Sequence, residues 1–280
     1  MSYTKIMYLG IDIGGTKTLA ATLTNEGVIT ESVKFPTPKD YAEFKKQLKD
    51  TLKGFKHQEF KACGVGLPVT EFDRKRGVAI VFGNLPWQMV PIQKDIEKIV
   101  DCPVAINNDA KLAALSEAML LKQYSKVLYV TISTGIGTAL VVDRVIDDNV
   151  GDAGGATMLL DFKGKPTPWE KFASGKAIVE RYGRFAEDIP KGDPVWPIMV
   201  QDWTRGFLQL TAMLQPDVIV IGGSVGTYFD KYGKLLAAAL KKHETPLMTI
   251  PPIIQAQRPN ECVVYGAYDY AKQKFPDAHA

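Results

Sequence analysis

Residues 8–20 read Tyr8-Leu-Gly-Ile-Asp12-Ile-Gly14-Gly15-Thr16-Lys17-Thr-Leu-Ala20, and the rest of the chain is organised around them. An apolar run ends in Asp12, a glycine pair and Thr16-Lys17 follow, and a second apolar run begins. The pattern predicts two strands joined by a tight turn, because two glycines at the tip admit the positive φ values of hairpin turns. Such a turn gathers backbone N–H groups, a hydroxyl and an ammonium in the space faced by one carboxylate. That set suits a polyphosphate with its magnesium ion: N–H, Thr16 and Lys17 for phosphate oxygens, Asp12 for the metal side. It equally suits a surface hairpin with polar turn residues, and the remaining sequence has to decide.

The chain has 280 residues, 46% of them hydrophobic, which is enough for one large domain or two medium ones. Its net charge of +3 comes from interspersed lysines and acids, so nothing argues for nucleic acid or a membrane surface as partner. Cys63, Cys102 and Cys262 are distant and odd in number, as expected of lone thiols in a reducing compartment rather than of a disulfide framework or zinc site. No run reaches the roughly 18 apolar residues of a membrane span, and no leader pattern opens the chain. The expectation is a soluble cytoplasmic protein.

Taken in order, Asn25-Glu26-Gly27 marks a second turn and 28–35 a third strand, ended by Pro36 and Pro38. Tyr41, Phe44, Leu48, Leu52 and Phe55 form one apolar stripe of a helix within 39–56. Strands are expected at 62–67, 77–82 and 103–106, with a helix after Pro91 and another over 110–121. From Lys126 the pattern restarts: strand 127–133, the turn Thr134-Gly135-Ile136-Gly137-Thr138, and a returning strand 139–142. Ile11–Ala20 superposes on Ile132–Val141 with Asp12 on Ser133, which reads as an internal duplication giving two lobes that each offer a glycine turn to one cleft. Residues 143–168 look loop-rich. Helices are expected at 168–185, at 197–214 with Ile198, Phe207, Leu210 and Leu214 inward, near 228–242, and at 263–274. Strands are expected at 217–221 and 251–256. Any domain boundary is then a hinge near 110–125, dividing a lobe of 1–112 plus the closing helix at about 264–280 from a lobe of 113–263.

Three glycine-rich turns follow apolar strands, at 14–15, 134–137 and 222–226. One such turn can serve packing alone; three in a duplicated chain point to a nucleotide, with Gly222 and Gly223 leaving room for base and ribose. Neither a P-loop nor a dinucleotide GxGxxG is present. Asn108-Asp109 closes a strand, where open α/β sheets place ligands, and an aspartate there can take the proton of an attacking hydroxyl. Either residue can also simply cap the helix that follows.

Asp12-Ile-Gly-Gly-Thr-Lys17, Asn84-Leu-Pro-Trp87, Asn108-Asp109-Ala110-Lys111, Thr134-Gly-Ile-Gly137, Glu170 with Ser174-Gly175, and Ile221-Gly-Gly-Ser224 occur in the order seen in ROK-family sugar kinases. The resemblance runs through nearly the whole chain. It implies an α/β protein of the actin/hexokinase type, two ribonuclease-H-like lobes with mixed sheets flanked by helices, closing an interlobe cleft over ATP–Mg²⁺ and a hexose. It further implies Asp109 as catalytic base, and Asn84, Asn108 and Glu170 on the sugar. Asp12, Gly14, Gly15, Thr16 and Lys17 would form one phosphate loop, with Asp12 reaching magnesium through the phosphates. Thr134, Gly135 and Gly137 would form a second, and Gly222 and Gly223 would face adenosine. A homodimer is implied by the family alone.

The departures fall on the sugar side. Where the family shows Gly-Glu-x-Gly-His, this chain has Gly154-Gly155-Ala156-Thr157-Met158, so Gly155 and Met158 replace the Glu and His. The Cys-x-Cys-Gly zinc motif is replaced by Phe162-Lys-Gly-Lys-Pro-Thr-Pro168, and the family's Pro-Gly by Pro68-Val69, so no zinc is expected. Losing two polar contacts should weaken hexose binding or shift selectivity. The leading expectation is an ATP-dependent hexose kinase with glucose as first acceptor. Polyphosphate as donor, a sugar or nucleotide sensor without turnover, and an actin-like ATPase are the alternatives. Trp87, Trp169, Trp196 and Trp203 are expected to pack, and His57, His243 and His279 to carry no ligand.

Overall fold

The computed structural model describes residues 6–258 and 260–276; His279 lies outside them. The chain divides into two units, residues 1–116 with 261–280, and residues 117–260.

The first unit opens with β1 (Met7–Ile13) and β2 (Lys17–Thr24), paired antiparallel with Ile13 opposite Thr18. Then come β3 (Ile29–Pro36) and α1 (Tyr41–Leu52), started by Asp40, whose carboxylate accepts from the Glu43 N–H at 2.8 Å. β4 (Ala62–Leu67) runs through Pro68 into a small antiparallel sheet of β5 (Val69–Asp73), β6 (Val78–Phe82) and β7 (Gln88–Val90). Of these only β6 is legible in the sequence, because Pro68 reads as a stop where it merely separates two strands. α2 (Ile92–Val100), β8 (Val104–Asn108) and α3 (Asp109–Leu120) follow, and α3 carries the chain into the second unit.

The main sheet has the order β3-β2-β1-β4-β8. Strand alternation sorts β1 onto two faces. Leu9, Ile11 and Ile13 enter a core with Phe44, Leu48, Trp87, Ile92 and Ile96, while Tyr8 joins a separate cluster with Val264 and Tyr268. Asp12 shares the alternation of Tyr8 and Gly10.

The second unit repeats the plan: β9 (Lys126–Ile132), β10 (Ile136–Val142) and the short β11 (Val145–Ile146) form an antiparallel meander. The stretch 143–168, expected as loop, contains the hairpin β12 (Leu159–Phe162) and β13 (Lys165–Pro168). Lys163 and Gly164 form its two-residue turn, both at positive φ, as a type I′ geometry demands. The helix expected over 168–185 is two, α4 (Trp169–Ala173) and α5 (Gly175–Tyr182), split at Ser174. Ser174 turns extended and caps α5, its Oγ accepting from the Ala177 N–H at 3.2 Å. α6 (Val195–Leu214) carries Trp196, Trp203 and Phe207 fully buried, but Ile198 is exposed, against the inward face expected for it. β14 (Val218–Gly222), the single turn α7 (Gly223–Gly226), α8 (Phe229–Lys241) and β15 (Ile253–Gln255) complete the sheet β11-β10-β9-β14-β15.

The two sheets therefore share one topology, three antiparallel strands continued by two parallel ones, as the duplicated pattern requires. The residue correspondence differs from the sequence superposition. Asp12 pairs with Leu19 and Gly66, and the residue with the equivalent pair of partners, Gly137 and Gly222, is Thr131 rather than Ser133. The second hairpin loop is one residue shorter, 133–135 against 14–17, so an ungapped superposition slips.

α9 (Cys262–Lys274) returns to the first unit and packs on β1, β4 and β8. The approach is so close that a Cβ at Gly64 would collide with the Ala267 carbonyl, and one at Gly266 with that of Leu112. Backbone cannot yield as a side-chain tip can. Gly64→Ala is expected to cost about 3 kcal/mol, read as a lowered urea midpoint, whereas Gly151→Ala, with open space around it, should leave the midpoint unchanged.

Candidate functional site

In the first unit the 14–17 loop is braced by the segment after β3. Gly14 N–H donates to the Lys17 carbonyl at 3.0 Å, and the Thr37 N–H donates to the Thr16 carbonyl at 2.9 Å. The Thr37 hydroxyl donates to Gly14 O at 2.8 Å, and the Lys39 ammonium to Gly15 O at 2.7 Å. With its carbonyls so engaged, the loop leaves Thr16 and Lys17 exposed at its tip. Neither Gly14 nor Gly15 has the positive φ expected of a hairpin turn, and it is space that requires glycine at both. A Cβ on Gly15 would lie 2.5 Å from the Asn84 side chain, and one on Gly14 2.8 Å from Lys17 O. Asn84 thus sits directly on the loop. Thr37 and Lys39 carry no motif that would single them out.

Asp109 is the first residue of α3, at the end of β8. Its Cα lies 3.8 Å from where a Gly66 Cβ would be, and Gly66 is the register partner of Asp12. The two carboxylates are consequently neighbours. Burial, with Asp109 adding repulsion, pushes the Asp12 carboxyl up to about 7, against a smaller lowering by Lys34. Asn108 takes the capping role: its Oδ1 accepts from the N–H groups of Ala110 at 2.9 Å and Lys111 at 3.2 Å. Its amide donates to the Val69 carbonyl at 2.8 Å, so a single amide N–H is left over for anything else. Arg74, which nothing in the sequence flags, donates to Asn107 Oδ1 at 3.0 Å, and that oxygen also accepts from the Asn108 N–H at 2.9 Å.

In the second unit the Ser133-Thr134-Gly135 loop joins β9 to β10. Glu170, in α4, accepts from the Ile136 N–H at 3.4 Å, and its Oε2 lies 2.6 Å from the position of a Gly135 Cβ. Gly175 N–H donates to Ser133 O at 2.7 Å, tying the α4–α5 break to the same loop. Gly137 is a strand residue paired with Thr131, not part of the loop. A cavity of 380 Å³ opens beside Ser133 and Thr134, walled by Val179, Phe185, Val225 and Tyr228. Ser224, Lys176 and Glu187 supply polar groups to it. Gly222 and Gly223 do not line this cavity. A Cβ on Gly222 would strike the Tyr129 hydroxyl, and Gly223 holds φ +80 beside Ile132 O, so the pair brings α7 onto β9 and presents Ser224 and Val225. Phe185 and Tyr228 come from segments without a recognisable motif.

Gly155 lies in a 3₁₀ turn over β10, where a Cβ would meet the Ile136 Cβ at 2.8 Å. Met158 packs into the second unit's core. The four tryptophans are all buried, as packing residues should be. Burial raises the thiols of Cys63 and, to about 12, Cys102, which keeps both protonated. Among the described residues no group of three or more His, Cys, Asp or Glu side chains converges on a metal position, and no helix is long and apolar enough to cross a membrane.

A sequence model of the ROK family matches residues 8–274. The chain belongs to the ROK family. Among ROK relatives, a glucokinase of Streptomyces coelicolor is 24% identical over 96% of this chain and 98% of that protein. A fructokinase of Pediococcus pentosaceus is 28% identical over 88% and 90%. The crystal structure of a ROK glucokinase from Streptomyces griseus, in complex with glucose and AMPPNP, superposes with a TM-score of 0.77 at 22% identity. It covers 95% of this chain and 99% of that one. The α/β fold of ROK kinases, of the actin/hexokinase type, is therefore that of this chain.

Proposed function

We propose that this ROK-family chain is a sugar kinase that transfers the γ-phosphoryl group of ATP to a hydroxyl of a hexose, with glucose the first candidate. The observation that carries the reading is Asp109, a carboxylate at the strand end beside Asp12, next to Asn108, whose side chain caps α3. In the reaction the acceptor hydroxyl passes its proton to Asp109 as its oxygen forms the bond to the γ-phosphorus. The bond to the β–γ bridging oxygen breaks and ADP leaves. Asn84, Asn108 and Glu170 are assigned to the sugar. Gly14, Gly15, Thr16 and Lys17, together with Thr134 and Gly135, are assigned to the phosphates. The Asp12 carboxylate fits a magnesium ion that arrives on phosphate oxygens, which needs only one or two protein carboxylates. When bound, it would lie on the Asp12 side and offset phosphate charge.

The 380 Å³ cavity supports a nucleotide donor over polyphosphate, because its apolar and aromatic walls, Val179, Phe185 and Tyr228, suit a base, which a phosphate chain lacks. Gly222 and Gly223 then act on the adenosine side through Ser224 and Val225. Gly155 and Met158 favour altered acceptor selectivity, and in the limit a sensor without turnover. The test is ADP release from ATP–Mg²⁺ across glucose, fructose, mannose and N-acetylhexosamines, with a polyphosphate arm alongside. We expect a sugar-dependent signal with ATP. Val179→Trp should fill the cavity and raise KM for ATP about tenfold or more while leaving KM for the sugar unchanged. Silence across the panel with ATP still bound would favour the sensor, and turnover with polyphosphate unaffected by Val179→Trp would overturn the donor assignment.

A further inference from the structure

α4 has five residues, too few to hold a helix by its own hydrogen bonds, yet it carries Glu170. Side chains from elsewhere in the second unit fix it. The Trp169 indole N–H donates to the Asp202 carbonyl at 3.2 Å, and the Trp203 indole N–H to the Ala173 carbonyl at 2.6 Å. Arg181 Nη1 donates to the Phe172 carbonyl at 2.6 Å and to Asp202 Oδ2 at 2.7 Å. The last carbonyls of α4, left without helical partners, are thereby satisfied. The Asp202 side chain is only 7% exposed, and the Arg181 guanidinium is the ion-pair partner that compensates its burial. Phe162, at the tip of the β12–β13 hairpin, stacks flat on Phe172, with ring centroids 4.4 Å apart and planes at 9°, and the Arg181 guanidinium lies 5.6 Å from the Phe162 centroid. Arg181, Asp202 and Phe162 are not among the residues that line the cavity.

We propose that Arg181 and Asp202, with Phe162 stacked beside them, are positioning residues that hold α4 so that Glu170 meets the Gly135 hairpin. The kinetic part of this inference rests on the reading of Glu170 as an acceptor ligand; the structural part does not. A short helix pinned at two carbonyls and one indole N–H can carry a carboxylate to a fixed place, and loosening one pin displaces the carboxylate before it unfolds the unit.

The experiment compares wild type, Arg181→Ala, Arg181→Lys, Phe162→Leu and Glu170→Gln by hydrogen–deuterium exchange and by steady-state kinetics with the best hexose of the panel. Phe162→Leu keeps apolar volume and serves should Arg181→Ala not fold. Exchange over 170–174 is expected to rise about tenfold in Arg181→Ala, with 218–222 unchanged and part of the protection restored by Lys. KM for the hexose should rise about tenfold while KM for ATP stays within about twofold. Wild-type exchange over 170–174 in both Arg181→Ala and Phe162→Leu would overturn the proposal. So would KM values for hexose and ATP that rise together, as a merely structural defect would produce. If Glu170→Gln leaves the hexose KM untouched, the acceptor role of Glu170 fails by itself, and the exchange data still decide the positioning.

Discussion

Asp109→Asn is expected to lower kcat by about 10²- to 10⁴-fold, the range a positioned general base contributes, while leaving the protein folded and able to bind nucleotide. The fold should survive because the cap of α3 does not depend on Asp109. Asn108 Oδ1 accepts from both Ala110 and Lys111 N–H groups, and the further bond from the Ala110 N–H to Asp109 Oδ1, at 2.7 Å, can be made by an asparagine oxygen. What asparagine cannot do is accept a proton from the sugar hydroxyl at neutral pH. The loss should accordingly appear in kcat, with KM for both substrates little changed. Calorimetric titration with a non-hydrolysable ATP analogue checks that the donor still binds. Turnover within about threefold of wild type would remove Asp109 as the base.

The topology was legible because it rests on periodicity and glycine punctuation. The apolar runs ending at Ile13 and Ile132 and their returning strands needed no tertiary information. What the sequence concealed was the reason for particular residues. Gly14 and Gly15 suggested positive φ, but they are glycines because Asn84 and the Lys17 carbonyl occupy the space of a Cβ. Gly222 invited a ligand, yet Tyr129 fills that space. Matching Gly14 to Gly135 places Asp12 opposite Ser133, whereas strand register equates Asp12 with Thr131. Contacts between elements without a motif were invisible for a plainer reason. Arg181 and Asp202 are 21 residues apart on two helices, and neither spacing nor residue type marks them as partners.

Asp12→Asn should stabilise the protein at pH 8 by up to about 4 kcal/mol in the absence of nucleotide and divalent cation, and the gain should vanish near pH 4. The Asp12 carboxyl is pushed up to about 7 in the folded state, first by burial and then by Asp109. In the unfolded chain the same group titrates near 4. Between those values the native state holds a proton that the unfolded state has released, so stability falls as pH rises through the window. Below pH 4 both states are protonated and the contribution is fully present; above about pH 7 both are ionised and the cost is complete. Each pH unit of the window is worth about 1.4 kcal/mol, which sets the upper figure, and the partial exposure of Asp12 will reduce it through solvent screening. Urea midpoints of wild type and Asp12→Asn between pH 4 and pH 8 test this. Parallel curves across the range would mean that Asp12 is solvated as an ordinary carboxylate and that Asp109 does not press on it. Diverging curves would identify Asp12 as a residue retained at a cost to stability, as expected of a group kept for phosphate and cation chemistry rather than for the fold.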